Sequence, residues 1–219
     1  MVVPDQFVFI NNTLIQAVEV KENGEKMVDL LEYAKERNSA LQTNKGVTLR
    51  EGVADKLINA QMFLPDGYNL FVVEGYRSPE DQAKLWQAHR NDLQKRHSDW
   101  DEAMLNDETS KLYSPAGSVM PHSVGSAVDL TVVDSSGSAL DMGTDINVDA
   151  EKTEYRTYTY SDKITEEQSE NRKLLIDAMN AGQFVNYSTE WWHWSTGDQY
   201  WAFILKQPFA VYGTLNEAV

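Results

Sequence analysis

The sequence predicts an α+β fold in one domain spanning residues 1–219. Three observations carry this expectation. Helical spacing of apolar residues dominates the first half, short apolar and aromatic runs dominate the second, and no linker or internal repeat separates them. A chain of 219 residues is long enough for a sizeable core. The expected architecture is a small antiparallel sheet with helices packed on it.

Residues 7–10 (FVFI) and 15–20 (IQAVEV) alternate and read as a short hairpin. Met27, Leu30, Leu31 and Ala34 recur at helical spacing, which predicts a helix over 25–41. Val53, Leu57, Ile58 and Met62 do the same over 50–63. Pro65-Asp66-Gly67 is a turn. The apolar run 69–74 (NLFVVE) is a buried strand. Ser78-Pro79-Glu80-Asp81 opens a helix, with Ser as N-cap, Pro at the first helical position and acids in the first turn. That helix is expected to reach about residue 96. Residues 97–121 are polar and irregular, and read as a long connection of the kind that often carries function. Residues 126–133 (SAVDLTVV) form a strand and 134–138 a turn. Residues 143–163 are polar loop. Residues 165–182 form a capped helix with Gly182 just past its end. Short strands are expected at 184–187, 190–195 and 200–205.

The net charge of −15 and the absence of a basic stripe argue against nucleic acid as a partner. No stretch approaches the roughly 18 apolar residues of a membrane span. The N-terminus MVVPDQFVFINNTLIQ has no basic n-region and no clean apolar h-region, so the chain is expected to be cytoplasmic, or secreted if a leader has been removed. There are no cysteines, which removes disulfides and thiolate metal sites together. A transition metal must then be held by carboxylates and by His89, His97, His122 or His193. His89 and His97 fall on a polar helix or its end and read as solvated.

Two segments concentrate chemistry. In Pro121-His122-Ser123-Val124-Gly125-Ser126-Ala127-Val128-Asp129, a glycine turn leads into a strand. His122 alone would be read first as a surface loop histidine. Asp129 is harder to dismiss, because a carboxylate inside an apolar strand is costly unless paired or metal-bound. In Thr189-Glu190-Trp191-Trp192-His193-Trp194, three tryptophans surround a Glu and a His, as a pocket floor would. Regular strand geometry would point Glu190 and His193 to opposite faces, so a shared site demands a bulge or twist there. His122, Asp129 and His193 make a nitrogen and oxygen set that suits zinc and leaves a fourth position open for water. Glu190 is then the base that accepts that water's proton. Arg77, in Glu74-Gly75-Tyr76-Arg77-Ser78, sits where a strand meets a helix N-cap. It reads either as a surface partner of Glu80 or Asp81, or as the cation over a developing oxyanion.

Taken in order, EGYRS, HSVGSAVDLTV and EWWHW resemble the D-alanyl-D-alanine dipeptidases of the vancomycin-resistance type, over about residues 50–205. These belong to a wider group with D,D-carboxypeptidases, endolysin peptidases and the Hedgehog signalling domain. The resemblance implies one zinc on His122, Asp129 and His193, carried by the small sheet, with Glu190 as base and Arg77 stabilising the transition state. It implies a small D-amino-acid peptide as substrate. It directs the substrate's ammonium to the region after Met142-Gly143, where this chain has Asn147 with Asp145 and Asp149 on either side. Ser123 and Trp191, beside the ligands, are further candidate substrate contacts. The family's other activities keep a D,D- or L,D-carboxypeptidase, an endolysin-like peptidase and a non-catalytic zinc-binding module as alternatives.

Overall fold

The strand β5 (Ala127–Asp134) is buried from Ala127 to Val133. The computed structural model describes residues 8–115 and 117–215. In β5, side chains alternate between faces. Val128, Leu130 and Val132 enter the main core with Leu57, Leu175 and Met179. Each such burial removes about 1.5–3 kcal/mol worth of apolar surface from water. Asp129 points to the opposite face.

Around β5 lie β2 (Gln42–Thr43), β4 (Tyr68–Glu74), β6 (Val185–Asn186) and β7 (His193–Ser195). The sheet order is β2-β4-β5-β7-β6. The β2–β4 edge pair is parallel and the other pairs are antiparallel. A second, two-stranded sheet pairs β1 (Met27–Asp29) with β3 (Thr48–Arg50). The helices are α1 (Thr13–Gln16), α2 (Leu30–Glu36), α3 (Glu51–Gln61), α4 (Pro79–Arg96), α5 (Glu102–Thr109), α6 (Glu166–Ala181) and α7 (Gln199–Ile204). The mixed α and β elements are those of the α+β class.

The β4–β5 register carries an irregularity that matters for the site. Val72 faces Leu130, but Glu74 rather than Val73 faces Asp129. Val73 is the extra residue of a β-bulge. Directly opposed residues point to the same face, so the bulge brings Glu74 beside Asp129.

Ser78 caps α4 by accepting from Asp81 N at 3.0 Å, and Thr165 and Gln168 form a reciprocal box at α6. Four sequence expectations need correction. Residues 8–20 are not a hairpin; Asn12 caps α1 instead, and residue 7 lies outside the described residues. The expected helix at 25–41 starts only at Leu30, because Asp29 caps it and Met27–Asp29 pairs as a strand. The connection 97–121 contains α5, capped by Asp101. Residues 200–204 of the expected strand at 200–205 belong instead to helix α7, started by Asp198 accepting from Trp201 N, with Leu205 its C-cap.

The polar loop at 143–163 is tied down by Arg172, a fully buried residue of α6. Its guanidinium donates to the carbonyls of Met142, Arg156 and Tyr158 at 2.6–2.8 Å. A single cation thus satisfies backbone groups that the loop's lack of regular structure would leave open.

Candidate metal centre and its cleft

Three buried side chains converge on the face of the sheet away from the core. In the β5–β7 ladder His193 stands opposite Asp129. His122 arrives from a 3-10 turn over Pro121–Val124 that ends at Gly125 in left-handed backbone, φ 72°. That positive φ favours glycine, and a Cβ there would also have to displace the tip of the Met27 side chain, 2.8 Å away. His122 Nδ1 donates to the carbonyl of Gly75 at 2.7 Å. That bond fixes the tautomer and turns the Nε2 lone pair inward.

His122 Nε2 lies 3.1 Å from His193 Nδ1. Asp129 Oδ1 lies 3.1 Å from His193 Nδ1 and 3.4 Å from His122 Nε2. A tetrahedral zinc with bonds of about 2.0–2.1 Å sets its ligand atoms about 3.3–3.4 Å apart. The triangle drawn by these three atoms therefore fits one face of such a tetrahedron, and its nitrogen and oxygen chemistry fits the same ion. Among the described residues this is the one cluster of three metal-ligating side chains.

Glu190 reaches the same point. Its backbone N–H donates to Tyr187 O at 2.8 Å, and His193 N donates to Glu190 O at 3.2 Å. Residues 188–192 are thus turns, and β7 begins only at His193. The departure from strand geometry that the sequence demanded is there. It leaves Glu190 Oε2 4.0 Å from His193 Nδ1. It also sends Trp191, Trp192 and Trp194 into the main core, so they do not floor the cleft.

Arg77 does not pair with Glu80 or Asp81. Its Nε and Nη2 grip Glu74 at 2.7 and 2.5 Å, and its Nη1 donates to Gln82 Oε1 at 2.9 Å. This clamp, made possible by the β4 bulge, leaves Nη2 3.8 Å from Asp129 Oδ2.

Electrostatics follow from burial. Burial acts to raise the Asp129 carboxyl, but the imidazoles of His122 and His193 outweigh it and hold Asp129 well below the carboxylate range. Burial lowers His193 despite its bond to Asp129. Burial, and then the charge of Asp129, push Glu190 well above its ordinary value.

These groups line a narrow cleft that opens to solvent. Arg77, His122, Asp129, Glu190 and His193 all border it, as does Asn147, which is exposed and in left-handed backbone at φ 61°. Asp145, Ser123 and Trp191 do not border it. Asp145 is exposed, Ser123 is buried with its hydroxyl unpartnered, and Trp191 is a core residue bonded to Thr144 Oγ1 at 2.8 Å. Residues the sequence did not single out also border the cleft, among them Tyr113, Gln82 and Ile10. His89 and His97 are not solvated bystanders. They join Arg96 of α4 to Asp149 and Glu151, at 4.0 Å for His89–Asp149 and 2.8 Å for His97–Glu151.

A family profile described as D-ala-D-ala dipeptidase matches residues 31–213. The chain is 26% identical over 180 residues to a D-alanyl-D-alanine dipeptidase of Synechocystis, covering 73% of each chain. It is 34% identical over 127 residues to a D-alanyl-D-alanine dipeptidase of Escherichia coli, covering 58% of this chain and 54% of that one. Among solved structures, a zinc-bound vancomycin-resistance D,D-pentapeptidase aligns at 14% identity with a TM-score of 0.44, covering 90% of this chain and 96% of the other.

Proposed function

The chain belongs to the D-Ala-D-Ala dipeptidase family, a family of zinc-dependent metallopeptidases, and on that premise we propose that it hydrolyses free D-Ala-D-Ala-type dipeptides at this cleft. The observation that carries the reading is the convergence of His122 Nε2, His193 Nδ1 and Asp129 Oδ1 beside the Glu190 carboxylate. His122, Asp129 and His193 would hold the zinc. When bound, zinc supplies a Lewis acid and lowers the pKa of water toward roughly 7.

The remaining work falls to the chain's own groups. Glu190 takes a proton at its carboxylate from the water that attacks the scissile carbonyl. As the C–N bond breaks, it returns that proton to the leaving amine. Arg77, held in place by Glu74 and Gln82, would present its guanidinium to the developing oxyanion with little reorganisation. Asn147, which borders the cleft, would meet the polar end of a small peptide. Glu190 and Arg77 together favour a hydrolase over a zinc-binding module, which needs neither a base nor an oxyanion donor.

Turnover of D-Ala-D-Ala, N-acetyl-D-Ala-D-Ala and a muropeptide by the purified zinc protein tests this. Cleavage of the free dipeptide alone is expected. Cleavage of the acetylated peptide alone would move the activity to a D,D-carboxypeptidase.

A further inference from the structure

One wall of the cleft comes from outside the stretch that the family profile matches. Ile10 borders the cleft and is 3% exposed, yet the match begins only at residue 31. We propose that the strap Val8–Gln16 sets the length of substrate the cleft admits, with Ile10 filling the space a third residue would occupy.

The strap is held at several points. Ile10 N donates to the Tyr187 hydroxyl at 3.3 Å, and that hydroxyl donates to Ser110 O at 2.6 Å. Asn11 Nδ2 donates to Asp107 Oδ1 on α5 at 3.2 Å. Downstream, Ile15 is fully buried, and Gln199 of α7 donates to the carbonyls of Gln16 and Val18 at 2.9 and 2.8 Å. Ile10, Ile15, Val119, Val185, Tyr187 and Tyr200 form a core cluster of their own, separate from the main one. The strap is thus a packed element rather than a loose end.

It also touches the chemistry at one remove. The Tyr187 ring that anchors Ile10 stands edge-on to His193, with ring centroids 6.0 Å apart. Ile10 offers no donor or acceptor in its side chain, so its contribution at the cleft is volume alone. A branched aliphatic wall in so narrow a cleft excludes a further residue sterically.

This inference rests on the dipeptidase reading, and the test separates the two. Zinc-loaded wild type, Ile10→Ala and Ile10→Trp are compared on D-Ala-D-Ala and on D-Ala-D-Ala-D-Ala, with zinc content and Tm recorded for each. Ile10→Ala is expected to raise the tripeptide-to-dipeptide ratio of kcat/KM at least tenfold. Ile10→Trp is expected to lower dipeptide kcat/KM at least tenfold, mainly through KM, with full zinc content. An unchanged ratio in a folded, zinc-replete Ile10→Ala overturns the wall and leaves the dipeptidase reading standing. A wild type inactive on the dipeptide overturns both. Should Ile10→Ala lose its fold, Ile10→Val serves the same comparison, and a ratio that does not rise again overturns the wall.

Discussion

The carbonyl of Gly75 accepts a hydrogen bond from His122 Nδ1 at 2.7 Å, and no larger residue fits where Gly75 stands. A Cβ there would meet Thr48 O at 2.7 Å and the side chains of Leu49 and Val47 at 2.9 Å. Gly75→Ala must therefore shift the strand end that orients the His122 ring. Partners of metal-bound histidines are worth about 10–100-fold in metal affinity. Zinc affinity, measured by competition with a chelator, is expected to fall by about that factor. Affinity equal to wild type would show that the carbonyl does not position His122.

Glu190→Gln keeps the size and removes the base. The protein is expected to retain one zinc per chain by elemental analysis and to lose turnover by about 10²–10⁴-fold. Near-normal kcat in a zinc-replete variant would take the proton transfer away from Glu190.

The same residue links zinc to pH. In the metal-free protein Glu190 holds its proton to a higher pH than in the unfolded chain, where its ordinary value is 4.5. A raised group contributes stability below the unfolded value and loses it as pH rises through the folded one. The metal-free fold is therefore expected to weaken above about pH 4.5, and a nearby cation reverses this by favouring the carboxylate. The gain in Tm on adding zinc should grow as pH rises above about 4.5, and zinc binding should release protons. In Glu190→Gln both effects should shrink. An identical proton release in the two proteins, by calorimetry in buffers of different ionisation enthalpy, would locate the titrating group elsewhere.

Arg77→Ala is expected to cut kcat by about 10²–10³-fold, as loss of an oxyanion donor does. Arg77→Lys should recover little of this, because a single ammonium cannot reproduce the two-point grip on Glu74 together with the bond to Gln82. Full recovery by lysine would reduce the role of Arg77 to its charge.

Arg172→Ala removes the cation that the Met142, Arg156 and Tyr158 carbonyls share. Hydrogen bonds to a charged group contribute about 1.5–3 kcal/mol each, so a loss of at least about 3 kcal/mol is expected in urea unfolding. Since Asn147 lies on the same loop, KM should rise more than kcat falls. A stability change under about 1 kcal/mol would mean the carbonyls find water instead.

Much of this was legible from local chemistry. Ser78-Pro79 gave the start of α4, and the apolar alternation around Asp129 gave β5. The spacing of Glu190 and His193 required the turn that is found at 188–192. Three of the misreadings share a cause. Around Asp29, Asp101 and Asp198, an apolar or polar pattern outweighed a single capping aspartate, and the cap decided where each helix began. What no local pattern could give was long-range. The Gly75–His122 bond spans 47 positions and the Ile10–Tyr187 bond 177, and both depend on how distant segments pack together. The grip of Arg77 on Glu74 needed the bulge, which periodicity does not announce.

That bulge has a consequence for how this chain can vary in length. Val73 shifts the strand's phase by one residue, so that Glu74, Gly75 and Arg77 each meet a fixed partner: Asp129, the His122 ring and Gln82. Residues 73–77 therefore act as a ruler. Gaining or losing one residue within it would rotate Glu74 to the wrong side of the sheet and release Arg77, with every core contact of β4 before Val72 left intact. Such a change would yield a well-folded, inert protein. For β4, length variation is better absorbed at its far end, in the exposed 65–67 turn.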